Sequence, residues 1–172
     1  MASLIDTLIE TLKDENSEYK KLLRLSASKT EAIVKADLEL LSQITDEEQE
    51  RVTAITSLEN KRMKTMEEIA KILNTDVASL KLGELISLLK KTPREQKELA
   101  KIHDELKSTL HEMKISNERN EELLNSAIEM VDFNMNLIQA MRKAPETANY
   151  NRGAYSTGSV IGNEAGSFDA KQ

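Results

Sequence analysis

Thr92-Pro93-Arg94-Glu95-Gln96-Lys97-Glu98-Leu99 opens a run that meets no glycine and no second proline until Pro145. Threonine, proline and glutamate in this order mark a helix start. The threonine caps, the proline takes the first helical position where its missing N–H would have no partner, and the glutamate follows at the third. A helix of about fifty residues measures roughly 75 Å at 1.5 Å per residue. That is too long for a compact globule and ordinary in an extended bundle, so this run decides the fold class.

The segments before it agree. Of five glycines, four lie at 153, 158, 162 and 166, so the first 142 residues are nearly free of helix breakers. Charged residues make up 31% and aromatics 3% of the chain, the balance of long helices rather than strands. Ile5, Leu8, Leu12, Tyr19, Leu22 and Ile33 recur near heptad spacing and place one stripe on a helix over roughly residues 2 to 35. Glu15, Ser26 and Lys29 complete that stripe, so the seam is only partly apolar. Asp37 can cap a new start at Leu38, and Thr45 with Glu48 has the capping-box pattern, so a break or kink is expected between 36 and 46. Val52, Ile55, Leu58, Met66, Ile69 and Leu73 carry the next helix to Asn74, a residue suited to a left-handed cap. Leu80, Leu82, Leu85, Ile86, Leu88 and Leu89 predict a short helix that plugs one end of the bundle.

The expected fold is all-α: an elongated antiparallel long-helix bundle with one short connecting helix. It would span residues 1–142, with a flexible polar tail over 143–172, where Asn, Gly, Ser, Ala and Tyr bury too little surface to offset chain entropy of about 1 to 2 kcal/mol per residue.

No catalytic apparatus is legible. Cysteine is absent, which removes disulfides, thiolate metal sites and a cysteine nucleophile. His103 and His111 stand eight apart, not the three or four that a helical metal pair needs. Ala100 and Ser108 occupy the positions where a di-iron bundle would place glutamates. The one glycine before residue 153, Gly83, builds no phosphate loop. Neither metal nor cofactor is expected. A net charge of −6 argues against a nucleic-acid partner, and no apolar stretch predicts a signal peptide or membrane insertion. Glu59 and Arg62 read as an intrahelical or interhelical ion pair that sets register, and the basic runs Lys61, Arg62 and Lys64, and Lys90, Lys91 and Arg94, as solvated helix surface.

The anomaly lies at the end of the long run. A two-residue-per-heptad seam would use Leu124, Ala127, Val131 and Ile138, with Met141 at its end. Leu123, Ile128, Met130, Phe133, Met135 and Leu137 add apolar surface beyond that seam. Such a surplus can be covered by the molecule's own helices or can receive an amphipathic helix from a partner, and adaptable methionines suit the second use. Burying five such side chains contributes on the order of 8 to 12 kcal/mol gross, against an association cost of about 4 to 15 kcal/mol. Asn117 and Asn120 precede the zone at seam-like positions, where buried amides specify register.

The order of short motifs resembles the FlgN-type flagellar export chaperones. They are Tyr19-Lys20-Lys21-Leu22-Leu23, then Lys29-Thr30-Glu31-Ala32-Ile33-Val34-Lys35-Ala36-Asp37-Leu38, Ile44-Thr45-Asp46-Glu47-Glu48-Gln49 and Leu58-Glu59-Asn60-Lys61-Arg62. Asn117-Glu118-Arg119-Asn120-Glu121-Glu122-Leu123-Leu124 and Phe168-Asp169-Ala170-Lys171-Gln172 follow late in the chain. Each is low in information; their order and spacing carry the likeness over nearly the whole chain. The resemblance implies a cytoplasmic chaperone, without an enzymatic step, that binds the disordered terminal regions of hook-filament junction proteins. It would prevent their premature polymerisation and deliver them to an export-gate component, as a monomer or small homo-oligomer. It also implies client capture by the final helix, carried over to Asn120, Leu123, Leu124, Ala127, Ile128, Val131, Met135 and Ile138. The competing expectation is a self-assembling structural or secreted coiled-coil protein that uses the same surface on copies of itself.

Overall fold

A computed structural model of the chain describes residues 2–76 and 80–143. The order is α1 (Ala2–Lys35), α2 (Leu38–Leu73), a short α3 (Leu82–Leu88) with a 3-10 turn (Leu89–Lys91), and α4 (Pro93–Lys143). Among the described residues every regular element is helical. The polar tail expected from residue 143 lies, from 144 onward, outside them. The chain divides into two compact units, Met1–Val131 and Asp132–Gln172. The first contains the bundle; of the second, the last part of α4 is described.

Helix boundaries follow local chemistry. Asp37 accepts a hydrogen bond from the Leu40 amide at 3.0 Å and caps α2. Ala36 just before it adopts a left-handed conformation with φ 53°, which lets the Asp37 and Ala36 amides reach the Ala32 and Ile33 carbonyls and close α1. Asn74, with φ 51° and ψ 39°, ends α2 in the same way. The second expected start, at Thr45, does not form: α2 runs unbroken from Leu38, and the Thr45 hydroxyl donates instead to the Leu41 carbonyl at 2.8 Å. Once Asp37 has started the helix, nothing between 38 and 45 interrupts it, and a mid-helix threonine turns its hydroxyl back one turn. Pro93 opens α4 as expected, and the Gln96 amide donates to the Thr92 carbonyl.

Cross-helix bonds give the topology of the first unit. Lys29 meets Glu48, Arg62 meets Glu15 and Tyr19 meets Glu59, so α1 and α2 run antiparallel. Thr109 meets Asn16, Ser116 meets Ser26 and Asn120 meets Thr30, so α4 returns parallel to α1.

The main apolar core lies at one end. Ile5, Leu8, Ile9 and Leu12 of α1 pack with Met66, Ile69 and Ala70 of α2, with Leu80, Leu85 and Leu89, and with Leu99, Ile102 and Leu106 of α4. The short helix plugs this end of the bundle. Beyond the core the seam turns polar. Glu15 is 1% exposed and Ser26 fully buried. Asn16 accepts from Thr109 at 2.8 Å, and the Ser26 and Ser116 hydroxyls stand 2.7 Å apart. No buried side-chain nitrogen or oxygen among the described residues lacks a partner. Two expectations for the seam change here. Val52 is 45% exposed rather than buried, and Asn117 is exposed while Asn120 turns inward.

Arg62 donates from Nε to Glu15 at 2.9 Å, whereas Glu59 accepts from the Tyr19 hydroxyl at 3.4 Å. The register-setting pair is therefore interhelical. Burial raises the Glu15 carboxyl above the ordinary glutamate range, more than the attraction and hydrogen bond of Arg62 lower it. Glu18 shifts the other way, held down first by the hydrogen bond from Lys21 and then by Arg51. Just above the ordinary glutamate range the folded chain keeps a proton on Glu15 that the unfolded chain has released. Its contribution to stability therefore grows as pH falls through that window and shrinks as pH rises. Urea denaturation of wild type and Glu15→Gln checks this: the stability of wild type relative to the variant increases between about pH 7 and pH 5. Parallel pH profiles would contradict the assignment.

Candidate functional site

At the end opposite the plugged core, two clefts share Leu124 and Ile128. The larger, of 500 Å³, has Leu22 and Lys29 of α1 as its floor, Glu48 and Val52 of α2 on one side, and Met113, Asn117, Asn120, Glu121, Leu124, Asn125 and Ile128 of α4 on the other. The smaller, of 240 Å³, is lined by Ala32, Ile33, Ala36, Leu38 and Leu41 around the α1–α2 turn, and by Leu124, Ala127, Ile128 and Val131 of α4. Every residue of the smaller cleft is apolar. Together they form one groove, polar-rimmed at its start and wholly apolar at its end.

The α1–α4 seam beside the groove is polar. Asn120 is 4% exposed. Its Nδ2 donates to the Ser26 carbonyl at 2.8 Å and to the Ser26 hydroxyl at 3.0 Å, and its Oδ1 accepts from Thr30 Oγ1 at 2.6 Å. These bonds dock α4 against α1 at one height, beside a small set of buried apolar residues, Leu22, Ala32, Ile33, Ile44 and Ile55, on α1 and α2. Lys29 Nζ and Glu48 Oε2, 2.6 Å apart and both about one-fifth exposed, bridge α1 to α2 across the floor.

Of the residues expected to meet a partner, Leu124, Ala127, Ile128 and Val131 line the apolar cleft, with Ile128 57% and Val131 60% exposed. Leu123 is half-buried and lines neither cleft. Asn120 forms part of the floor, its amide already bonded within the bundle. Met135 and Ile138 belong to the second unit and are about half exposed, as is Leu137, while Phe133 reaches 67% and Met141 71%. α3, which could have covered this zone, packs into the core at the other end. Sequence reasoning missed the α1–α2 side of the groove. Ala36 and Leu38, at the expected break, belong to it, and Leu38 is 77% exposed.

A second cleft of 320 Å³ gathers Glu15, Tyr19, Glu59, Arg62 and His103. Glu15 is engaged with Arg62 and Glu59 with Tyr19, while His103 lies 3.2 Å from Asp104. Among the described residues no group of three or more His, Cys, Asp and Glu could hold a metal ion, and no helix is long and apolar enough to cross a membrane. The groove has surface and shape for a polypeptide.

Comparison with known proteins places residues 1–157 in the family described as FlgN protein. No curated protein and no solved structure gives a match.

The docking of α4 by Asn120 has a measurable consequence. Asn120→Ala removes three hydrogen bonds from a buried site, although Thr30 keeps the Ser26 carbonyl and the Ser26 hydroxyl keeps Ser116, a loss of about 1 to 3 kcal/mol. The urea midpoint falls accordingly, and a change below about 0.5 kcal/mol would show that these bonds do not hold the helix.

Proposed function

This chain belongs to the FlgN family of flagellar export chaperones, and from that premise we propose that it works in the cytoplasm on hook-filament junction proteins. It holds their disordered terminal segments, prevents their premature polymerisation and delivers them to an export-gate component, without an enzymatic step. The observation that carries this reading is the groove at Leu124, Ala127, Ile128 and Val131, where apolar side chains stand uncovered beside an apolar floor from the α1–α2 turn.

The physics fits a carrier. A disordered client segment orders on binding, so part of the gross burial energy is offset by lost chain entropy. Affinity then settles near the micromolar range, tight enough to keep an aggregation-prone segment covered and weak enough to release it. Adaptable contacts from Leu124, Ile128 and Met113 serve clients of differing side chains. Asn120 belongs to the floor of the site rather than to its adjustable wall, and Leu123 supports α4 from the side. Met135 and Ile138, exposed on the second unit, offer the client apolar surface of their own.

The test replaces Leu124, Ile128 and Val131 by serine in the full chain. Because the three are half-buried or exposed, helicity by circular dichroism stays within error of wild type. Calorimetric affinity for a carboxyl-terminal junction-protein peptide falls about a hundredfold or more, at roughly 1 kcal/mol per side chain. An unchanged affinity in a folded variant defeats the assignment. Growth of the free wild-type chain into large particles in light scattering at rising concentration supports self-assembly instead.

A further inference from the structure

We propose that the segment received by this groove is an amphipathic helix whose apolar stripe is flanked by lysine and arginine, and that it lies as a fourth helix against α1, α2 and α4. The proposal rests on the reading of the groove as the client site and adds the shape and charge of what it takes.

The shape comes from the three-sided lining. A floor from α1 and walls from α2 and α4 leave open the position that a fourth helix fills in a bundle. Along α4 the lining runs from Met113 to Val131, about 27 Å of helix axis. A helix of about 18 residues matches that length. An extended strand would find no edge to pair with, since all described elements around the groove are helices.

The charge comes from where the carboxylates fall. Asp37–Arg51, the start of α2, carries six carboxylates and one arginine, and residues 117–131 carry four and one. Glu118, Glu122 and Glu129 follow at spacings of four and seven on α4, which sets them in a row beside the row of Glu121, Leu124 and Ile128. Residues 81–114, which run along the plugged end and the polar seam, carry eight lysines and arginines against six carboxylates. Residues 20–36 of α1 carry five lysines and arginines against one carboxylate, so the negative charge at the groove lies on its α2 and α4 walls rather than on its α1 floor. Lys29, the one base among the groove's lining residues, is already matched by Glu48 at 2.6 Å. A stripe bordered by lysine and arginine meets complementary charge there; one bordered by glutamate meets repulsion. Such exposed pairs act within a Debye length of about 10 Å at 0.1 M salt, so the preference is screenable.

The experiment uses the full chain and two synthetic helical peptides of about 18 residues with one leucine stripe, one flanked by lysine and its twin by glutamate. Binding is followed by fluorescence anisotropy at roughly 20 mM and 500 mM salt. The lysine peptide binds about tenfold more tightly than its twin at low salt, and the advantage shrinks at high salt. Glu122→Lys with Glu129→Lys reduces the advantage severalfold while the folded state is retained, and Leu124→Ser with Ile128→Ser weakens both peptides. Equal binding of the twins, with the serine variant still defective, overturns the charge inference and leaves the groove reading intact. A lysine preference that survives undiminished in the serine variant reduces the effect to general attraction between opposite charges and overturns the docking. Failure of both peptides to bind overturns the fourth-helix occupant altogether.

Discussion

The Asn120 amide, bonded to Ser26 and Thr30 of α1, is the constraint on which the groove depends. A buried amide costs several kcal/mol in desolvation unless every donor and acceptor finds a partner, so it admits one register and excludes its neighbours. Asn16 with Thr109 repeats the device closer to the core, and Ser26 with Ser116 stands between them. Together they pin α4 to α1 along a polar seam. Such a seam gives position more than it gives stability, because hydrogen bonds exchanged with water contribute little net energy.

The division of labour follows. Leucines and isoleucines from all four helices pack into a plugged core at one end and supply most of the stabilisation. The polar seam carries the alignment through the middle. At the far end Ala32, Ile33 and Ile44 of α1 and α2 are buried, while Ile128 and Val131 of α4 remain largely exposed. The groove adjoins the contacts that hold the helices together, since Asn120, Lys29 and Glu48 belong to both.

Much of this was legible in the chain because it is local. Asp37 and Asn74 start and end α2 through bonds to backbone groups within a few residues, and Pro93 opens α4 as read, although the Thr92 hydroxyl turns back to the Leu89 carbonyl at 3.4 Å instead of capping the helix. Thr45 with Glu48 has an equally good local pattern and fails, because a cap forms only where a helix has not already begun. The surplus of apolar residues after Leu123 could be counted, but the count left open whether the molecule's own helices cover them, and Ile128, Met130, Val131 and Phe133 stand largely exposed. What could not be read was the other side of the groove. Ala32, Ile33, Leu38 and Leu41 belong to it through the height at which α4 is docked, and that height is set by hydrogen bonds spanning some ninety positions of sequence. Val52 shows the same limit: its spacing fits a seam, but no polar or apolar partner on α4 closes over it. Asn120 could be suspected of burial from its place in the heptad, yet its partners on α1 could not be named from spacing alone.

The central claim is that cargo lies in the groove at the end away from the plugged core. Amide hydrogen exchange of the full chain, with and without a junction-protein terminal peptide, tests it directly, because the loosely packed end opens more readily than the core and is the part a bound helix would close. The account predicts slowed exchange in residues 32–41 and 113–131 on binding, with 5–12 and 99–106 unchanged. Slowing confined to the plugged end, or none at residues 113–131 when the peptide is saturating, would contradict it.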